Sequence, residues 1–132
     1  YSTAPAEKLY TPVIADEVYG PTRVNVEAQR AKPDSLFHTI RRMLTVRKQH
    51  LAFGRGDFHW LVLESPALAA YTRHFEGETL LIINNLSAHP QVGQFPPEIS
   101  GVYTDLFSGK TLELNQIATL QPYQYLWLAR KN

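Results

Sequence analysis

A change of hydrophobic period at one short turn divides this chain and limits what it can fold into. Before Phe53-Gly54-Arg55-Gly56 the apolar residues recur at helical spacing; after it they come in short runs separated by turn signals. At about 100° per residue, Leu36, Phe37, Ile40, Met43 and Leu44 share one arc of a helix, with His38, Arg42, Thr45 and Gln49 opposite. The spacing predicts a helix over about 33–50. Pro33 suits a first helical position, where its missing N–H costs nothing, and Asp34 then meets the positive end of the helix dipole. Arg47 projects into the apolar arc about one turn beyond Met43 and Leu44. It is therefore expected to be at least half buried, with its guanidinium on a carboxylate or on backbone carbonyls.

Beyond Gly56 the runs read as strands. They are Phe58–Leu63, Leu68–Phe75, Thr79–Ile83, a weak Gln91–Phe95, Val102–Phe107, Thr111–Leu114, Ile117–Leu120 and Tyr123–Ala129. Glu76-Gly77-Glu78 reads as a turn, and Ser108-Gly109-Lys110 is a hairpin signal. The unbroken apolar run of the third strand predicts burial on both faces, and Leu81, Ile83, Leu126 and Leu128 are the expected core. Short strands at this spacing imply a mainly β fold, an antiparallel β-sandwich, preceded by one long α-helix. Residues 1–31, with Pro5, Pro12, Gly20 and Pro21, are expected to be mostly irregular.

Composition removes several function classes. A net charge of +1 supplies no field for nucleic acid or an anionic membrane, and the basic cluster Arg41, Arg42, Arg47, Lys48 has no interleaved aromatics on its face. With no cysteine there is no disulfide, thiol nucleophile or cysteine zinc site, which suits a cytoplasmic protein. No apolar run approaches the roughly 18 residues of a membrane span. His38, His50, His59, His74 and His89 form no HxH or HxxxH pair, so neither metal nor cofactor is expected. The 12 acids are scattered through turns, and Asp16-Glu17 is the only adjacent pair. Glycoside chemistry needs two carboxylates facing one bond, and the spacing here offers none. The chain is thus expected to carry no catalytic residue. Tyr123, Tyr125 and Trp127 fall on one face of the last strand, either as core or as a platform on which a sugar could stack. Phe58, His59 and Trp60 pose the same choice.

The segment Asn25-Val26-Glu27, Gln29, Pro33-Asp34-Ser35-Leu36, Arg42, Leu44 and Arg47-Lys48 resembles the approach to the last helix of the (β/α)8 barrel in the α-amylase superfamily, glycoside hydrolase family 13. Leu9-Tyr10, Val18-Tyr19-Gly20, Phe53-Gly54-Arg55-Gly56, Asn84-Asn85-Leu86-Ser87, Leu106-Phe107-Ser108-Gly109 and Pro122-Tyr123 with Trp127 look like the trehalose synthase branch. The likeness covers about residues 9–128. Lys32 departs from it, where relatives often carry a capping Asp.

The resemblance implies that residues 1–52 end a catalytic barrel and that 53–132 form its C-terminal β domain. The parent would interconvert maltose and trehalose by intramolecular glucosyl transfer, with its nucleophile and general acid upstream; the start at Tyr1, without Met, fits a piece of a longer frame. Tyr19, Asn25 and Glu27 are the candidates for contact with substrate, although Glu27 is expected to hold backbone rather than move protons. Arg47 and Trp127 are expected to be structural. The expected partner is the upstream barrel. Otherwise the apolar helix face either docks on its own β domain or pairs with a second copy. The rival readings are the C-terminal domain of an oligo-1,6-glucosidase or α-amylase, and an independent carbohydrate-binding module.

Overall fold

The structure, a computed structural model, describes residues 5–11 and 16–131. It separates into two compact units, Tyr1–Thr45 and Val46–Asn132. The division falls inside the long helix.

In the first unit the described residues before Asn25 are mostly turns, as expected, and two helices follow. Helix α1 spans Val26–Arg30. It forms because Asn25 is extended (φ −139°, ψ 160°) and its side-chain oxygen accepts the Ala28 N–H at 2.7 Å. The long helix α2 covers Leu36–Gln49 and so starts after Pro33 and Asp34, not at them. Its cap comes from α1. The Gln29 side-chain oxygen accepts the Phe37 N–H at 3.0 Å, and the Ser35 hydroxyl donates to the Gln29 carbonyl at 2.6 Å. The Ser35 carbonyl then accepts the Thr39 N–H at 3.0 Å as the first turn closes. A distant glutamine thus satisfies an orphan donor of the first turn, and Lys32 is not needed there.

In the second unit, a one-turn helix α3 (Ala52–Arg55) leads into eight strands. These are β1 (Asp57–Leu61), β2 (Leu68–Phe75), β3 (Glu78–Asn85), β4 (Gln91–Gln94), β5 (Gly101–Asp105), β6 (Thr111–Leu114), β7 (Ile117–Leu120) and β8 (Tyr125–Arg130). All pairings are antiparallel, in a six-stranded sheet β1-β2-β3-β8-β5-β6 and a ribbon β4-β7. The α3–β1 turn needs Gly56. A Cβ there would lie 2.7 Å from the Ala52 carbonyl oxygen and 2.8 Å from that of His74. The β2–β3 hairpin closes through Glu76 and Gly77, both with positive φ (48° and 85°), the requirement of a two-residue primed turn.

Burial on both faces of β3 is found: Leu80, Leu81, Ile82 and Ile83 are all at most 1% exposed. Leu81, Ile83, Leu128, Ala70 and Tyr103 face the larger core with Phe95, Ile99, Leu114 and Leu120. On the other face Leu80 and Ile82 lie under Ala52, with Phe53, Tyr71, Phe75, Leu106 and Trp127 around them. Leu126 is only partly buried, packed against the larger core rather than inside it.

Asn85 closes the sandwich. Only 2% exposed, its amide nitrogen donates to the carbonyls of His89 (2.8 Å), Leu120 (3.3 Å) and Gln121 (2.9 Å). Its oxygen accepts the Ser87 N–H (3.0 Å) and hydroxyl (2.8 Å). One side chain therefore ties the end of β3 to the end of β7, a strand of the other sheet.

Candidate functional site

The residues proposed for substrate contact, Tyr19, Asn25 and Glu27, all lie in the first unit. Tyr19 is 69% exposed on a turn held by Asp16, whose carboxylate accepts the N–H groups of Val18 and Tyr19. Asn25 is 7% exposed and engaged in the α1 cap, with its amide nitrogen donating to the Pro21 carbonyl at 2.9 Å. Its geometry is that of a structural residue. Glu27 is exposed in the first turn of α1, next to the backbone bonds made by Asn25 and Gln29. Arg47 corrects an expectation, because it is exposed and pairs with no carboxylate among the described residues. The role foreseen for it belongs to Arg130, whose two terminal nitrogens donate to the Glu98 carbonyl (2.8 Å) and the Ser100 carbonyl (2.9 Å).

Several acids have structural partners. Glu78 accepts from His50 Nδ1 at 2.6 Å and from the Ala52 N–H at 3.4 Å. Asp105 organises the β5–β6 turn through the Phe107 N–H (3.1 Å) and the Ser108 hydroxyl (2.5 Å). Open clefts are present among the described residues. One, of about 220 Å³, is lined by Pro33, Asp34, His38, Thr39 and Arg42; another, of about 340 Å³, includes Val62, Glu64, Gln94, Pro96 and Gln116. Asp34 lines the first and Glu64 the second. Among the described residues, no group of three or more His, Asp or Glu is placed to hold a metal. Nor is any helix long and apolar enough to cross a membrane.

The aromatic residues are where the second unit presents an unusual surface. The stripe expected on the last strand is broken, since Tyr123 precedes β8, has φ 55° and is 67% exposed. Trp127 is partly buried and packs on Phe53 (4.6 Å between centroids) and Phe107 (5.1 Å), which makes it a packing residue. Phe58 and Trp60 differ, at 51% and 55% exposure. The β1–β2 register sets Trp60 opposite Tyr71 and Phe58 opposite Arg73, with His59 opposite Thr72. By the alternation of a strand, His59 points to the other face. The Phe58, Trp60 and Tyr71 rings lie 4.9–6.2 Å apart with planes inclined by 11–33°. Arg73 sits over Phe58 at 5.9 Å while its Nε donates to the Ala52 carbonyl at 3.1 Å. Sequence reasoning marked Phe58 and Trp60 but missed Tyr71 and Arg73, which only the register brings beside them.

Comparison with known proteins agrees with this architecture. A Pimelobacter trehalose synthase is 38% identical over 96% of this chain and 24% of its own length. The trehalose synthase/amylase of Mycobacterium tuberculosis is 46% identical over 69% of this chain and 16% of its own length. The crystal structure of Bacillus licheniformis trehalose-6-phosphate hydrolase superposes with a TM-score of 0.71 at 29% identity, covering 92% of this chain and 22% of that one. The chain thus spans about a quarter or less of the length of these relatives. Residues 58–127, more than half of the sequence, match the family described as Maltogenic Amylase, C-terminal domain, and the chain belongs to that family.

Proposed function

We propose that this chain is the C-terminal portion of a trehalose synthase, an enzyme interconverting maltose and trehalose by intramolecular glucosyl transfer. In this reading the portion is structural and the chemistry lies in an upstream barrel, in the cytoplasm. One observation carries the reading. Similarity to a trehalose synthase extends over 96% of the chain, so it takes in the lead-in and α2 as well as the β domain matched at 58–127. An independent carbohydrate-binding module would have no use for α1 and α2. The exposed apolar residues Leu36, Ile40 and Leu44 on α2 suit a helix covered by the rest of the enzyme, since an apolar patch of this kind marks an association surface.

The purified chain is expected to turn over neither maltose nor trehalose nor starch. The same chain joined to its upstream barrel is expected to convert maltose into trehalose. Turnover by the isolated chain would overturn the assignment of chemistry to the barrel, and release of glucose alone by the longer enzyme would favour an oligo-1,6-glucosidase or amylase. Light scattering of the isolated chain is expected to show association that rises with concentration and is reduced by Leu36→Lys with Leu44→Lys.

A further inference from the structure

We propose that Phe58, Trp60, Tyr71 and Arg73 form a binding surface for an α-linked glucan oligosaccharide. The identity of the sugar rests on the proposed function above; the surface itself rests on geometry. Three rings with mutual spacings of 4.9, 6.2 and 6.2 Å, of which only Trp60 and Tyr71 are nearly parallel (11°), cannot form a single column. A column would separate its outer members by almost the sum of the inner spacings. The rings are staggered instead, and Phe58 and Trp60 remain about half exposed. Flat apolar ring faces pack against the C–H faces of pyranose sugars by the same dispersion and quadrupole terms that draw aromatics together.

The polar fringe separates a sugar site from a dry protein contact. The Trp60 indole N–H, the Tyr71 hydroxyl and the terminal nitrogens of Arg73 hydrogen-bond to no protein group among the described residues; Arg73 is anchored by Nε alone. Donors interleaved with aromatic faces match a ligand that alternates apolar faces with hydroxyl acceptors. The surface is also pre-built, because the β1–β2 register fixes Trp60 against Tyr71 and the cation over Phe58 fixes Arg73. The rings are inclined by about 30° at Phe58 (29° to Trp60, 33° to Tyr71), so the surface is curved. A curved surface follows the coiled chain of an α-linked glucan and not the flat ribbon of a β-1,4-linked one.

The test is titration of the chain with maltoheptaose and, in parallel, with cellohexaose. It is followed by calorimetry and by Trp60 fluorescence in a Trp127→Phe background. Saturable binding of maltoheptaose but not cellohexaose is expected. Trp60→Ala is expected to weaken it at least about tenfold, with the far-ultraviolet spectrum of the sheet retained, since Trp60 is half exposed. Arg73→Ala is expected to weaken it less. Phe58→Ala is the second aromatic variant, should Trp60→Ala fail to fold. Absence of saturable binding, binding unchanged in both aromatic variants, or a preference for cellohexaose would overturn the proposal. So would Trp60 emission that shifts to the blue with protein concentration alone, which would make the surface a self-interface, or Trp60 shielded from acrylamide in the longer enzyme. None of these outcomes touches the isomerase reading, which is judged on turnover by the longer enzyme.

Discussion

The Nδ1 atom of His50, just after the end of α2, lies 2.6 Å from Oε1 of Glu78, the first residue of β3. The second carboxylate oxygen accepts the Ala52 N–H at 3.4 Å, so one side chain fixes both the exit of α2 and the start of α3. That placement sets Ala52, which is fully buried, over Leu80 and Ile82. Both partners are partly solvated, at 22% and 32% exposure, so the ion-pair contribution is screened.

Glu78→Ala is therefore expected to cost about 1 kcal/mol, most of it from the lost hydrogen bonds. The neighbouring exposed Glu76→Ala is expected to stay within about 0.5 kcal/mol of the parent on the same contact grounds. Urea unfolding of the two variants measures the difference. Equal effects would show that Glu78 acts only through its charge.

Tyr103 gives the chain an alkaline limit. It is 1% exposed, and its hydroxyl donates to the Ile99 carbonyl at 2.6 Å. Burial raises its pKa, partly opposed by the Arg130 guanidinium over its ring at 5.7 Å. A phenol whose folded-state pKa exceeds the unfolded value of about 10 holds its proton more tightly when folded. The stability this contributes is complete below about pH 10 and is lost as pH rises through the folded value. Denaturant midpoints are expected to fall above pH 10. In Tyr103→Phe the fall is expected to flatten, with a loss of about 1 kcal/mol at neutral pH from the missing hydrogen bond. An identical alkaline slope in the variant would assign the transition to another group.

Arg130 makes the backbone contacts that the spacing suggested for Arg47. Arg130 forks onto two backbone carbonyls, at 2.8 and 2.9 Å, and a point-charge ammonium cannot reproduce that fork. Arg130→Lys is expected to cost about 1 kcal/mol, while Arg47→Lys, at an exposed position, is expected to change stability by less than about 0.5 kcal/mol. Thermal unfolding of the pair ranks them, and a larger shift for Arg47→Lys would restore the expectation drawn from the helical wheel.

The reasons for these differences are physical. Strands were legible because their period of two and their turn residues are local: β2, β6 and β7 begin and end where the alternation does, at Leu68 and Phe75, Thr111 and Leu114, Ile117 and Leu120. The start of α2 was not, because its cap is Gln29, eight residues from the Phe37 N–H it accepts. Arg47 was misplaced because a helical wheel locates an arc but not which part of it is covered. The aromatic surface was half legible: Phe58 and Trp60 are visible in one strand, but Tyr71 and Arg73 join them only through pairing across a loop. A motif can also be visible without its role. Asn84-Asn85-Leu86-Ser87 was a likeness with no mechanism until the sandwich showed what Asn85 holds.

Asn85 is the position where a small change is expected to matter most. Its amide nitrogen serves three carbonyls, at His89, Leu120 and Gln121, and its oxygen serves two donors on Ser87. Asn85→Ala strips partners from groups that the folded chain shields from water, and each such orphan costs about 1–3 kcal/mol. Because water can reach the partly exposed His89 and Ser87 groups, the net loss is expected to be about 2–4 kcal/mol. Asn85→Asp separates the two halves of the role. It keeps the acceptor for Ser87 but turns a carboxylate oxygen toward three carbonyl oxygens, a repulsion in a buried place, and is expected to cost more than Asn85→Ala. Urea unfolding read by Trp127 fluorescence ranks the three proteins. If Asn85→Asp proves as stable as the parent, the two sheets are held by their apolar core alone, and Asn85 is only the end of a strand.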